Sequence, residues 1–155
     1  MENKTEKFSL LIDRIKKLVN SSSARDDKLH SICKLLNENL NYYNWVGFYI
    51  AEENKKELFL GPFVGEPTEH TRIPFGKGIC GQAADREETF IVDDVSKETN
   101  YLSCSIKVKS EIVVPIFKGK KVVGELDIDS HTPSVFTPED RKFLEDICEI
   151  IAKVF

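Results

Sequence analysis

The order of apolar spacings along this chain of 155 residues is the feature that most constrains its fold. From Thr5 to Val19, apolar side chains recur every three or four residues, which predicts an amphipathic helix. A second helix is expected next: Ser23 and Asp26 have the spacing of an N-terminal cap, and an apolar stripe runs from Leu29 to Leu40. A last helix should begin at Thr137-Pro138, with threonine as the cap and proline in the first turn.

The middle of the chain has the composition of β-strands. Aromatic and β-branched residues dominate from Trp45 to Val64 and are interrupted by Asn54-Lys55-Lys56, which predicts a hairpin. Phe90 to Val95 predicts another strand. Ser110 to Ser130 predicts a second hairpin that turns at Lys118-Gly119-Lys120.

Helices at both ends of a set of hairpins indicate the α+β class rather than alternating βαβ units. We expect one domain over residues 1–155, with a central, mostly antiparallel sheet and the terminal helices packed on one side of it. Gly65 to Arg86 and Ser96 to Ser110 carry no clear periodicity, so we expect the irregular loops that build a site to lie there, on the other side of the sheet.

Charge and hydropathy exclude several classes of partner. Lys and Arg total 22 against 26 Asp and Glu, a net charge of −4, which disfavours nucleic acid and anionic membrane surfaces. Apolar runs stay shorter than the roughly 18 residues that span a bilayer. The first residues lack the pattern of a signal peptide, so the sequence predicts a cytoplasmic protein whose partners are small molecules or other proteins.

Four cysteines occur without a Cys-x-x-Cys spacing. Cys33 and Cys148 lie on the apolar faces of predicted helices and are expected in the core. Cys80 lies in a glycine-rich turn, and Cys104 lies in a polar segment near Lys107, which would favour its thiolate. Cys104 is either an incidental loop cysteine or a reactive one. If Cys80 and Cys104 meet, one can attack an electrophile and the other can resolve the intermediate.

The segment Gly76 to Gly81 satisfies the pattern G-x-G-x-x-G, but its context is wrong for a dinucleotide site. Only Gln82 to Glu88 separate it from the next predicted strand, which is too short for a crossover between parallel strands. The glycines instead allow the backbone to turn tightly and approach a ligand. The histidines show no metal-ligand spacing with the cysteines, so we predict no metal.

Alternation along the last predicted strand places Glu125, Asp127 and Asp129 on one face. A solvated outer face is the ordinary explanation of three like charges. The alternative is that Asp127 and Asp129 bind a cationic ligand or hold a proton through a raised pKa, with Glu111 joining them from the partner strand.

Aromatic residues at the first predicted strand also have two interpretations. Trp45, Phe48 and Tyr49 could form an aromatic wall for a small ligand or belong to the core.

Five segments together closely resemble the free methionine-(R)-sulfoxide reductases, enzymes built on a GAF domain. The resemblance covers nearly the whole chain from Asn44 onward and includes the spacing between its cysteines and acids. The segments are Asn44–Tyr49, Leu60–Phe63, Arg72–Gly81, Ser110–Pro115 and Leu126–Ser130.

The resemblance implies reduction of free methionine-(R)-sulfoxide by thiol chemistry, a function in defence against oxidative stress. Cys104 matches the attacking thiol, which becomes a sulfenic acid, and Cys80 matches a second thiol that can form a disulfide with it. No bound cofactor is implied, because an external dithiol, thioredoxin in the family, restores the thiols.

The remaining family positions fall on acids and aromatic residues. Glu111, Asp127 and Asp129 match carboxylates that hold the substrate ammonium and sulfoxide oxygen, with Asp129 as the acid. Trp45 and Tyr49 match the aromatic part of the pocket. GAF domains often pair through their helices, so the resemblance also implies a homodimer.

One position departs from the family pattern. Many members have a third cysteine, often the resolving thiol, where this chain has His70. Either Cys80 takes over that role, or a small thiol reduces the sulfenic acid, or activity is weak. The competing function is a non-catalytic GAF module that senses a small amino-acid-like or nucleotide ligand.

Overall fold

The computed structural model describes residues 3–102 and 105–155. Four helices and six strands are named here in chain order: α1 (Lys4–Val19), α2 (Arg25–Asn39), β1 (Trp45–Glu52), β2 (Glu57–Val64), β3 (Arg72–Pro74), α3 (Gly78–Arg86), β4 (Phe90–Val92), β5 (Ser110–Lys118), β6 (Lys121–Ser130) and α4 (Pro138–Ile151). Within the described ranges, these helices include none that is long and apolar enough to cross a membrane.

The strands form one antiparallel sheet in the order β3-β2-β1-β6-β5-β4. Both predicted hairpins are present, as β1–β2 and β5–β6, and they join through the pairing of β1 with β6. The long central strands therefore come from separate hairpins that lie side by side. The α+β class predicted from the order of periodicities is confirmed.

The sheet has a helical layer on one face. Alternate side chains of the central strands pack there against α1, α2 and α4, and they include Val46, Phe48, Ile112, Val114, Leu126 and Ile128. Cys33 and Cys148 are buried in the same core, as predicted. The opposite face carries a smaller apolar cluster, in which Tyr49 and Val113 pack with Ile79 and Ala83 of α3.

The helix ends agree with the sequence in one case and differ in another. Thr137 caps α4 in a capping box with Asp140, and Pro138 opens the helix. The predicted cap of α2 by Ser23 is wrong, because the N-cap position falls on Ala24, which makes no side-chain capping hydrogen bond.

Two elements lie where the sequence predicted irregular chain. The strand β3 and the helix α3 both fall between Gly65 and Arg86. β3 is only 3 residues long, and α3 is 9 residues long with two glycines, so neither shows a readable period. The strand predicted from Phe90 to Val95 ends earlier, at Val92.

Candidate active site

The acids of β6 lie on the face of the sheet that α3 covers. Asp127 and Asp129 are each 1% exposed and Glu125 is 0% exposed, so the interpretation of these side chains as a solvated outer face is wrong. Glu111 of β5 pairs directly with Asp129 in the sheet and is also buried. Alternation placed the acids on one face, and the packing of α3 against β5 and β6 contributes to removing that face from water.

Cys80 lies in the first turn of α3 and approaches these acids. Its Sγ is 4.0 Å from Oε2 of Glu111. The Sγ atom and one carboxylate oxygen each from Glu111 and Asp127 all lie within 4.8 Å of one another. A thiol and two carboxyl groups that the sequence singled out are thus brought together.

Burial favours the protonated forms of the groups in this cluster. Burial, followed by the negative charges of Asp127 and Glu111, raises the pKa of the Cys80 thiol well above its ordinary value. Burial is also the main cause that raises the pKa of Glu111, with Asp127 and Asp129 adding to it, and that raises the pKa of Asp127. A carboxyl group that keeps its proton at neutral pH can donate it to a ligand oxygen, whereas an ionised neighbour can bind an ammonium group.

A fourth acid, Glu125, belongs to the same cluster although no role was predicted for it. Both of its carboxylate oxygens are buried without a hydrogen-bond partner among the described residues. Burial, and then the charge of Asp127, raises its pKa well above the ordinary value. The alternation along β6 had already placed Glu125 on this face.

Two of the three aromatic residues of β1, Trp45 and Tyr49, lie on the site face, whereas Phe48 packs in the core on the helical side of the sheet. The Trp45 ring stacks on Phe63 with ring centroids 5.4 Å apart, and its Nε1 donates a hydrogen bond of 3.0 Å to the Glu66 carbonyl. The Tyr49 hydroxyl donates a hydrogen bond of 2.9 Å to the carbonyl of His70. Both side chains are buried, so they contribute to the core and to the wall of the site together.

Gly47 lies between Trp45 and Tyr49 in β1, and its lack of a side chain leaves room for the Trp45 ring. A Cβ atom at this position would lie 2.3 Å from Cη2 of Trp45. A larger residue would therefore push the indole ring away from the sheet. The combination of a glycine and a tryptophan two residues apart is what lets the ring lie flat over the strand.

The glycine-rich segment forms the turn that leads into α3. Gly76 and Gly78 have φ values of 87° and 68°, a left-handed conformation that glycine adopts without strain. The Gly76 amide donates a hydrogen bond of 2.7 Å to the carbonyl of Gly81, which closes the turn. Because the sheet is antiparallel, the segment does not belong to a dinucleotide-binding crossover, as the sequence predicted.

A small cavity of about 10 Å³ lies at the centre of these groups. Its lining contains Cys80, Glu111, Asp127 and Tyr49 together with residues of the surrounding loops, which include His70, Lys77 and Leu102. This volume holds about one water molecule, so the cavity is smaller than an amino acid. The sequence did not single out Lys77 or Leu102, because each lies in a segment without periodicity.

Cys104, the predicted attacking thiol, lies outside the described residues. Leu102 precedes it by two residues in the sequence and lines the cavity that contains Cys80. Lys107, which was expected to favour a nearby thiolate, forms an ion pair with Glu66, with Nζ 3.0 Å from Oε1. The meeting of Cys80 with Cys104 stays a prediction.

The grouping of Cys80, Glu111 and Asp127 is compact enough for one divalent cation to bridge. The same group of acids also suits an organic ammonium. The sequence predicts no metal, and that stays a prediction to be tested by removal of metal ions.

Comparisons with known proteins extend over nearly the whole chain. The model of the GAF domain family matches residues 24–155. The chain is 35% identical to the free methionine-R-sulfoxide reductase of Escherichia coli over 152 residues, 98% of this chain and 90% of that protein. It is 37% identical to GAF domain-containing protein A of Dictyostelium discoideum over 149 residues, 96% of this chain and 92% of that protein.

A solved structure shows the same fold. The free methionine-R-sulfoxide reductase of Neisseria meningitidis, in complex with its substrate, superposes with a TM-score of 0.93 at 34% identity. The match covers 100% of this chain and 92% of that one. The fold and the sequence therefore agree with these relatives over at least 96% of this chain.

Proposed function

Because this chain belongs to the GAF domain family and, within it, to the free methionine-R-sulfoxide reductases, which are enzymes, we propose that it reduces free methionine-(R)-sulfoxide to methionine. The observation that carries the proposal is the approach of the Cys80 thiol to Glu111 and Asp127 in a buried cavity. A thiol supplies the reducing electrons, and carboxyl groups supply the proton and the charge that this substrate needs.

The charges of the site suit a free amino acid. Glu111 and Asp127 bind the α-ammonium, which a methionine sulfoxide residue inside a peptide lacks. Lys77, which lines the cavity, offers a positive charge to the α-carboxylate. Trp45 and Tyr49 pack against the side chain of the substrate. An enclosed cavity supports this selectivity, because a peptide would need room for chain on both sides.

In the first chemical step, the Cys104 thiolate attacks the sulfur atom of the sulfoxide while Asp129 provides a proton to the sulfoxide oxygen. The sulfur–oxygen bond of the substrate breaks, and the hydroxyl group is transferred to Cys104. The substrate is reduced by two electrons to methionine, and Cys104 is oxidised by two electrons to a sulfenic acid. The burial of Asp129 beside Glu111 supports its role as the acid.

In the second step, the Cys80 thiol attacks the Cys104 sulfenic acid. A disulfide forms, the sulfur–oxygen bond breaks, and the hydroxyl group leaves as water with the proton from Cys80. The raised pKa of Cys80 keeps it a thiol at neutral pH, so a nearby carboxylate takes up the thiol proton during the attack and passes it to the departing hydroxyl group. An external dithiol of the thioredoxin type then restores both thiols by exchange.

The positions of the other cysteines support Cys80 as the resolving thiol. Cys33 and Cys148 lie in the core on the helical side of the sheet, away from the acids. With His70 in place of the family's third cysteine, Cys80 is the cysteine next to the carboxyl groups among the described residues.

The decisive experiment measures turnover separately on the free R epimer, the free S epimer and a peptide that carries the R form. We expect turnover on the free R epimer alone. Cys104→Ser should abolish it, and Cys33→Ser is the matched control for loss of one thiol. Turnover by Cys104→Ser would contradict the assignment, and tight ligand binding with unchanged thiols would favour the sensor.

We also propose that residues 1–155 act as one GAF domain in the cytoplasm, where reducing conditions keep its thiols available. Pairing of two copies through their helices is proposed as well, and Leu10 of α1, 56% exposed, offers apolar surface for it. Sedimentation of the wild type and of Leu10→Lys tests this association.

A further inference from the structure

We propose that Asn100 is a positioning residue for disulfide formation. Its side chain ties the segment that contains Cys104 to the turn that carries Cys80, and so sets how the two thiols meet. The inference rests on the proposed reductase function and concerns its second chemical step.

Asn100 uses its side-chain amide and its backbone carbonyl to hold this turn. Its Oδ1 accepts a hydrogen bond of 2.8 Å from the Gly78 amide, and its Nδ2 donates one of 2.9 Å to the carbonyl of Gly76. The amide of Gln82 donates to the Asn100 carbonyl at 3.0 Å and to the Gly78 carbonyl at 2.9 Å. The three bonds that involve Asn100 join chain segments that are 18 to 24 residues apart in the sequence, whereas the bond from Gln82 to Gly78 lies within α3.

Apolar packing reinforces the same junction. A Cβ atom at Gly78 would lie 2.9 Å from Cγ of Leu102, so the side chain of Leu102 rests directly on the backbone of the turn. Gly78 has a φ of 68°, which also favours glycine. Asn100 and Leu102 therefore both contact Gly78, which precedes Cys80 by two residues.

The segment that contains Cys104 runs from Val95 to Lys109, and both of its ends are held by backbone hydrogen bonds. The amide of Val95 bonds to the carbonyl of Lys109 at 2.9 Å, and the amide of Lys109 bonds to the carbonyl of Ser130 at 2.8 Å. These bonds fix the ends to each other and to β6. Among the described residues, Asn100 provides hydrogen bonds from the interior of the segment to α3, and it is itself exposed, so its role is positional rather than that of a core residue.

The chemistry makes this tie important for one step in particular. Cys104 follows Asn100 by four residues, and its sulfenic acid has to meet the Cys80 thiol at bonding distance to form the disulfide and release water. Two groups held in a fixed relation react far faster than two groups that have to find each other. Attack on a bound substrate needs the substrate pocket, whereas disulfide formation needs the two segments of this chain to stay aligned.

The test follows one turnover of the full chain without reductant. Free methionine-(R)-sulfoxide is mixed with reduced protein, methionine and disulfide are measured with time, and dimedone traps sulfenic acid for mass spectrometry. For Asn100→Ala, we expect methionine to form within about threefold of the wild-type rate. We expect the disulfide to form at least about tenfold more slowly, with trapped sulfenic acid accumulating on Cys104.

Two further variants sharpen the comparison. Asn100→Asp keeps the acceptor for the Gly78 amide but loses the donor to Gly76, so it should lie between the wild type and alanine. Ser96→Ala is the matched control, because Ser96 is an exposed residue of the same segment whose hydroxyl donates a hydrogen bond of 2.6 Å to Asp94, two residues away. Its two rates should equal those of the wild type.

Every outcome separates the possibilities. An unchanged rate of disulfide formation in Asn100→Ala would overturn the inference. Equal slowing of methionine and disulfide formation would also overturn it, because a merely structural loss does not select the second step. Absence of methionine in the wild type would instead overturn the proposed reductase function.

Discussion

Replacement of Glu125 by glutamine should change how the stability of the protein depends on pH. Glu125 is completely buried, and its two carboxylate oxygens have no hydrogen-bond partner among the described residues. Burial, and then Asp127, raises its pKa well above the ordinary value of 4.5. Glutamine has nearly the same shape but cannot ionise.

The sign follows from proton binding. Above the ordinary pKa, the unfolded chain has lost the proton of Glu125 while the folded protein still holds it. The free energy of unfolding therefore falls as pH rises through this window, by about 1.36 kcal/mol per pH unit for one proton. From about pH 5.5 to about pH 7.5, Glu125 should lower the free energy of unfolding of the wild type by at most about 2.7 kcal/mol. The Glu125→Gln variant should not show this decrease.

Urea unfolding at several pH values measures the effect. The fluorescence of Trp45, the single tryptophan, reports unfolding because this side chain is buried against Phe63. Thermal unfolding is a second measurement. The melting temperature of the variant minus that of the wild type should increase by up to about 5–11 °C from about pH 5.5 to about pH 7.5. Glu149→Gln, on the exposed surface of α4, controls for the loss of one negative charge.

The slope decides the outcome, because burying the glutamine amide shifts the variant by an amount that does not depend on pH. Glu111 and Asp127 contribute to the slope of both proteins, so the comparison isolates one proton. A difference between the variant and the wild type that stays constant from about pH 5.5 to about pH 7.5 would refute the reasoning.

Three further predictions concern other groups. Asp140→Ala leaves the buried hydroxyl of Tyr43 without its acceptor and removes the capping box of α4, which should lower the free energy of unfolding by about 2–4 kcal/mol in urea titrations. Burial alone would raise the pKa of Asp140, but hydrogen bonds, first that from Lys4, hold it below the ordinary value, so this contribution is complete at neutral pH and is lost as pH falls through the lowered value. Tyr49→Phe removes the hydrogen bond to the His70 carbonyl and should raise KM by about 2–10-fold with kcat nearly unchanged, whereas a collapse of kcat would make the hydroxyl a proton donor. Dialysis against EDTA should leave turnover intact, and a loss that added metal restores would disprove the prediction of no metal.

Much of the fold follows from local pattern. The two hairpins, the terminal helices and the burial of Cys33 and Cys148 were all predicted, because each depends on a period or a cap within a few residues. The helix α3 was missed because 9 residues with two glycines carry no such period. The cap of α2 was misplaced by one residue, since serine, alanine and arginine in succession offer more than one starting point.

The site also has one part that local pattern predicts and one part that it does not. Alternation along β6 already placed Glu125, Asp127 and Asp129 on one face, since successive side chains of a strand point to opposite sides. Whether that face is exposed to solvent depends on tertiary packing, to which α3 contributes from a different part of the chain. The acids therefore look like surface residues in the sequence and become a buried cluster in the fold.

The sequence by itself thus determined which residues share a face and which segments pair, because these properties depend on neighbours along the chain. Only the tertiary structure decided that Cys80 lies 4.0 Å from a carboxylate 31 residues away and that Asn100 holds the turn before it. Such contacts depend on how α3 and the loops close over the sheet. That closure is a balance of packing and hydrogen bonds between distant segments, which no local pattern records.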